Sequence, residues 1–205
     1  MRHAWHSGSL VLIFAAVCLG GCALFGPGPE EELREVAAGT DHEEKRELLQ
    51  EIEPTPAMFP TLAGMLKREP DPTVRAMAAQ AIGELQWPEA VDELRDAVRK
   101  DPHWIVRQRA LAALGKIIDG EMRDDLEYVL RNEPDQRVRV EAVRLAAEWL
   151  PPDAASEMLL SALQDDAAAV RLRAASELQK MTDQALPPRY EPWEDYLKPE
   201  SGSQG

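Results

Sequence analysis

The sequence predicts an all-α solenoid of about four 32-residue helical hairpins behind an N-terminal helical cap. Three observations carry that expectation. The dipeptide Val-Arg recurs at Val74-Arg75, Val106-Arg107, Val138-Arg139 and Val170-Arg171, 32 residues apart each time. Apolar residues follow each Val at helical spacing. Four positions on stand Ala78, Ala110, Ala142 and Ala174; eight on, Ile82, Leu114, Ala146 and Leu178; eleven on, Leu85, Ile117, Trp149 and Met181. Those offsets share one helical face, so each segment has one stripe to bury. Aromatic residues make up 5% of a chain that is 44% hydrophobic and dominated by Ala and Leu, which favours helices over strands.

Taken in order, residues 1–21 have the three-part shape of an export signal: Arg2, His3 and His6, an apolar run from Leu10 to Leu19, then Gly20 and Gly21. The run is short for a span, which needs about 20 apolar residues. Leu19-Gly20-Gly21-Cys22 resembles the lipobox of bacterial lipoproteins. That resemblance implies cleavage between Gly21 and Cys22 and acylation of Cys22 (diacylglycerol, palmitate), so that Cys22 anchors an exported protein to a cell membrane. Cys18 would leave with the signal, and no disulfide or cysteine metal site would remain. In a Gram-negative cell, Ala23 after the cysteine points to the periplasmic face of the outer membrane. The acidic body should stand off from an anionic lipid surface.

Residues 22–29 read as the lipidated cysteine and a Gly/Pro tether. Residues 30–54 read as two charged capping helices: Glu30 to Ala38, stopped by Gly39, then a capping-box start at Asp41 and Glu44 running to about Ile52. Residues 55–182 are the repeats. Twelve positions before each Val stand Leu62, Leu94, Leu126 and Met158; eight before, Leu66, Val98, Leu130 and Ala162, with Leu163 beside the last. These define a first helix in every unit. Between the two helices stand Pro70-Asp71-Pro72, Asp101-Pro102, Pro134-Asp135 and Asp165-Asp166. Asp71 and Asp101 are expected as N-caps, with the following prolines in the first helical turn. The small residue four after each Val should let neighbouring helices approach closely. No unit can bury its stripe alone; stacking builds one continuous core. In the tail, 183–205, Pro187-Pro188 interrupts helix and Trp193, Tyr196 and Leu197 share a face of a short one. That turn is expected to cover the last repeat; the alternative is a free peptide that hands Trp193 to a partner.

The segments DPTVRAMAAQAIGEL, DPHWIVRQRALAALGKI, PDQRVRVEAVRLAAEWL and DDAAAVRLRAASELQKM resemble HEAT repeats, most closely the short HEAT-like repeats also found in phycocyanobilin lyases. The resemblance implies a right-handed α-solenoid. It specifies a scaffold geometry rather than a function. It also implies that the repeat arginines, Arg75, Arg107, Arg139 and Arg171, form a structural ladder with the turn acids Asp71, Asp101, Asp135 and Asp166; the rival reading is an anion-binding row. Arginine's planar fork suits carboxylates and carbonyls.

The chain has 23 Lys+Arg against 37 Asp+Glu, a net charge of −14. Nucleic-acid affinity rests on neutralising phosphates with cations, so nucleic acid is not an expected partner. His42 and His103 fall in different units with no metal-ligand pattern around them. Ser156, Ser161 and Ser176 lie in helical pattern without a nucleophile elbow. No Gly-rich phosphate loop occurs. Asp124-Asp125 and Asp165-Asp166 are expected as solvated helix starts. No enzyme activity, metal or cofactor is expected.

The candidate partner surface is the exposed side of the second helices, the concave lining of such solenoids: Met77 and Gln80 (with Glu84), Arg109 and Lys116 (with Ala112), Arg144 (with Glu141 and Glu148), Arg173 and Lys180 (with Ser176). The first helices are expected to expose Glu89, Asp92, Glu93, Asp96, Asp124, Asp125 and Glu127. The expectation is a membrane-anchored envelope lipoprotein acting as a non-catalytic scaffold for a protein or peptide partner. Its rivals are a bilin lyase-like enzyme or chaperone and a passive structural subunit of an envelope complex.

Overall fold

A computed structural model describes residues 27–118 and 121–197. The segment expected as an export signal, the lipobox-like stretch with Gly21 and Cys22, and the end of the tail lie outside the described residues. In chain order the helices are α1 (Pro29–Ala38), α2 (His42–Glu51), α3 (Phe59–Arg68), α4 (Pro72–Leu85), α5 (Val91–Lys100), α6 (Trp104–Ile118), α7 (Arg123–Asn132), α8 (Gln136–Trp149), α9 (Pro152–Ala162), α10 (Ala168–Thr182) and α11 (Tyr190–Leu197). Among the described residues no strand forms, and no helix is long and apolar enough to cross a membrane.

The helices stack in two layers. Even-numbered helices lie side by side, α2 on α4, α4 on α6, α6 on α8 and α8 on α10; each odd-numbered helix from α3 to α9 packs on the even one that follows it. The molecule is thus an all-α solenoid. The two charged N-terminal helices form a hairpin of the same kind, with α2 docked on α4 as α4 docks on α6. The tail helix α11 packs on α9 and adds one more member to the odd layer.

Packing follows the period of the sequence. Ala78, Ala110, Ala142 and Ala174 are all fully buried, as are the Val residues that open each motif. The tightest spacing lies one turn further on: a Cβ added to Gly83 would stand 2.7 Å from the Cβ of Ala113, so α4 and α6 approach almost backbone to backbone there. Met181, expected in the buried stripe, is 36% exposed; among the described residues no further even-numbered helix follows α10 to cover it. Trp193 is fully buried with Leu159, Leu160 and Leu178, and its Nε1–H donates to the Pro187 carbonyl at 3.0 Å. A buried indole with its polar edge satisfied makes α11 a plug on the odd layer. Tyr196 meets Trp193 edge to face and stays half exposed.

The helix starts show where side chains compete with water for the first N–H groups. Asp71 accepts from Thr73 N–H at 2.6 Å and Val74 N–H at 3.3 Å; Asp135 accepts from Arg137 N–H at 2.9 Å. The cap of α6 is His103, whose Nδ1 accepts from Ile105 N–H at 3.3 Å. Asp101, expected to cap α6, lies two residues earlier and accepts from His103 N–H at 2.9 Å.

Candidate functional site

Each inter-hairpin boundary is crossed by one buried ion pair near the turns. Arg75 on α4 forks onto Asp101, with Nε to Oδ2 at 2.8 Å and Nη2 to Oδ1 at 3.0 Å. Arg107 on α6 forks onto Glu133 at 2.7 Å on both arms. Arg139 on α8 forks onto Asp165 at 2.8 Å on both arms and also reaches Asp166. In each case Nη1 donates to carbonyls of the arginine's own turn: Glu69 and Pro70, Asp101, Glu133 and Pro134. One guanidinium therefore closes its own hairpin and clasps the next. The partner acid lies 26 residues ahead in all three.

The acids themselves obey the period: Glu69, Asp101, Glu133 and Asp165 are 32 residues apart. The arginines are legible in the sequence, and with them Asp101 and, as a second contact for Arg139, Asp166; Asp71 and Asp135 have other roles. Asp71 caps α4 and pairs with Arg46 at 3.0 Å; Asp135 caps α8 and pairs with Arg137 at 2.6 Å; Asp166 is a largely exposed second contact for Arg139. A search for aspartate beside proline picks out the caps and passes over glutamate. A search for any acid at constant offset from the arginine would have found Glu69 and Glu133. At the first boundary Lys45 takes the arginine's place, with Nζ 2.5 Å from Glu69 Oε1 and both groups buried. Arg171 keeps only the inner half of the arrangement, donating to the carbonyls of Asp165 and Asp166 at 2.8 Å; the position 26 residues ahead is Leu197.

Electrostatics follow this geometry. The hydrogen bonds to Glu133 and Asp165, against the cost of burial, hold Arg107 and Arg139 above the usual arginine range. Burial pushes the Asp165 carboxyl up, but Arg139 and the Ala167 N–H outweigh it and leave it below the usual range. The hydrogen bond from Arg137 holds Asp135 down at about 2.

The odd layer has its own links across boundaries: Arg95 and Arg99 to Asp125 at 2.9 and 3.3 Å, and Arg123 to Glu157 at 2.8 Å. Asp125, expected on the surface, is buried against those two arginines, which the preceding hairpin supplies from α5. Open grooves lie in this layer between successive odd-numbered helices. One of about 310 Å³ between α7 and α9 is lined by Arg123, Met158 and Ser161. Another, about 380 Å³ between α1 and α3, is lined by Arg34, Gly64 and Arg68. Among the described residues no three His, Cys, Asp or Glu side chains gather as metal ligands.

The candidate stripe on the even layer divides by partner. Arg144 bonds Glu141 and Glu148 of its own helix, and Arg173 and Lys180 both reach Glu177. Gln80 donates to Glu84 at 3.2 Å, and Met77 is half-buried against the core. Arg109 and Lys116, both exposed on α6, make no ion pair among the described residues.

Stacked two-helix units clasped by a periodic ion pair define an α-solenoid repeat protein. The chain belongs to the HEAT-repeat family: three overlapping stretches, residues 30–115, 59–144 and 123–189, match the family model described as HEAT repeats. The first stretch includes the N-terminal hairpin, so the family's geometry begins before the four repeats that the Val-Arg period marks. No curated protein matches the chain.

Proposed function

We propose that the protein is an exported lipoprotein, held on a cell membrane by acylated Cys22, whose solenoid is a non-catalytic docking scaffold for a protein or peptide partner. The observation that carries the scaffold reading is the pair Arg109 and Lys116. The ladder cations are committed inside the array, and the other stripe cations are matched along their own helices. This exposed pair on the central even-numbered helix has no such match, in a chain of net charge −14. An acidic peptide lying across the even layer would meet it. Anchoring supports the reading further, since membrane confinement raises effective concentration and lets weak contacts suffice. The lipobox-like Leu19-Gly20-Gly21-Cys22 supports the anchor.

The test is in-cell cross-linking of the tagged protein followed by mass spectrometry, beside Cys22→Ser and Arg109→Glu/Lys116→Glu variants. The expected result is one enriched partner whose capture falls in the double variant, and loss of labelled palmitate and of membrane sedimentation in Cys22→Ser. Full acylation of Cys22→Ser would remove the anchor. Undiminished capture by the double variant would remove the α6 pair.

A further inference from the structure

The forward flank of an even-numbered helix is defined by what it touches. On α8, Val140 and Val143 pack into the cluster built by Val170, Ala174 and Leu178 of the next hairpin. On α4, Gly83 meets Ala113 of α6. These residues stand two, five and nine positions after the motif Val. On α10 the same register holds Leu172, Ala175 and Gln179, and Leu172 is 58% exposed. Ala175 is buried, and among the described residues the flank is open at Leu172 and Gln179, while the tail plugs the odd layer through α11.

The charge ladder ends at the same place. Three boundaries each pair an arginine with a carboxylate of the following hairpin, whereas among the described residues Arg171 has only its own turn carbonyls. Among the described residues, α10 therefore leaves one apolar position and one ladder arginine without the contact that the earlier even-numbered helices have. The N-terminal hairpin lacks the ladder acid. The ladder acid stands six residues before its hairpin's cation in every later unit; six before Lys45 is Gly39. A second copy offering its N-terminal hairpin would bring no ladder carboxylate to Arg171. Residues 198–205 carry no large apolar side chain to cover Leu172.

We infer that the open flank of α10 docks a helix of a different protein, one that presents a carboxylate to Arg171 and an apolar side chain to Leu172, continuing the stack across the protein boundary. This rests on the scaffold reading but names a second surface, distinct from the α6 pair. Association of this kind combines a desolvated charge pair with an apolar anchor.

The test places a photo-cross-linking amino acid at Gln179, exposed on the same flank, in the full-length protein in its own cells, and maps the product by mass spectrometry. The expected product joins position 179 to a helical segment of another protein containing Asp or Glu. Its yield should drop at least about tenfold in Leu172→Glu and in Arg171→Gln, the scale of losing a buried interfacial contact. It should persist in Arg109→Glu/Lys116→Glu. Leu172→Glu changes a solvated position, so its unfolding midpoint should match the parent and separate lost docking from lost folding. No product, a product with residues 27–54 of a second copy, a product with lipid, or a yield unchanged in both flank variants would each overturn the inference. A partner captured through Arg109 and Lys116 alone would keep the scaffold reading and remove this one.

Discussion

At the residue scale, the ladder sets the energetic stakes. Arg139 and Asp165 are each about one-tenth exposed. Removing one member of a buried, forked pair strands the other charge, which costs roughly 3–5 kcal/mol. Asp165→Ala should therefore lower the urea midpoint strongly, while Arg171→Ala, which loses only carbonyl bonds, should cost about 1 kcal/mol. Equal losses in the two variants would show that the carboxylates add nothing to the clasp. The acid side of the stability profile follows from the same residues. Asp135 and Asp165 have folded-state pKa values below those of an unfolded chain, Asp135 at about 2. Their contribution is complete above the unfolded value of about 4 and disappears as pH falls through the folded value. Unfolding free energy should fall between about pH 4 and 2, and Asp135→Asn should flatten that fall.

At the scale of elements, the boundary between α4 and α6 has no room to spare. Gly83→Ala would put a Cβ within 2.7 Å of Ala113 Cβ and 2.8 Å of its Cα, and backbone cannot step aside as a side-chain tip can. The expected cost is about 1–3 kcal/mol, the range for overpacking. Gly64→Ala makes its one close contact with the end of the Arg68 side chain and should be nearly neutral in the same thermal melt. The plug helix gives a second prediction. Trp193→Ala removes the largest fully buried side chain and should destabilise by about 3–5 kcal/mol. Hydrogen exchange should show the loss of protection concentrated in α9 and α10; uniform loss would mean that α11 is coupled to the whole array instead.

At the scale of the whole molecule, each hairpin touches only its neighbours, so stability should be distributed along the stack rather than pooled. Native-state hydrogen exchange is expected to show the slowest amides in α4, α6 and α8, and faster exchange in α1 and α10, where one flank lacks a neighbour among the described residues. A single protection value throughout would argue for all-or-none folding.

The sequence alone determined the repeat, its 32-residue length, the helical hairpin and the buried stripe, because each rests on local periodicity: a helix must turn one face inward, and the alanine and valine positions say which. It also marked the ladder arginines, since they follow the motif Val directly. Four matters were decided only by tertiary packing. Which acid receives each arginine depends on the offset between stacked hairpins, so Glu133 rather than Asp135 receives Arg107, and Asp165 takes both arms of Arg139 with Asp166 as a second contact. Asp125 is buried because the neighbouring hairpin supplies Arg95 and Arg99 to cover it. The close approach settled on Gly83 and Ala113, where the axes of α4 and α6 converge. The end of the array is set by α11, which packs on α9 and sends Trp193 into the cluster with Leu178 while leaving Leu172 exposed. Local pattern specifies a unit; only the contact between units specifies where the stack stops.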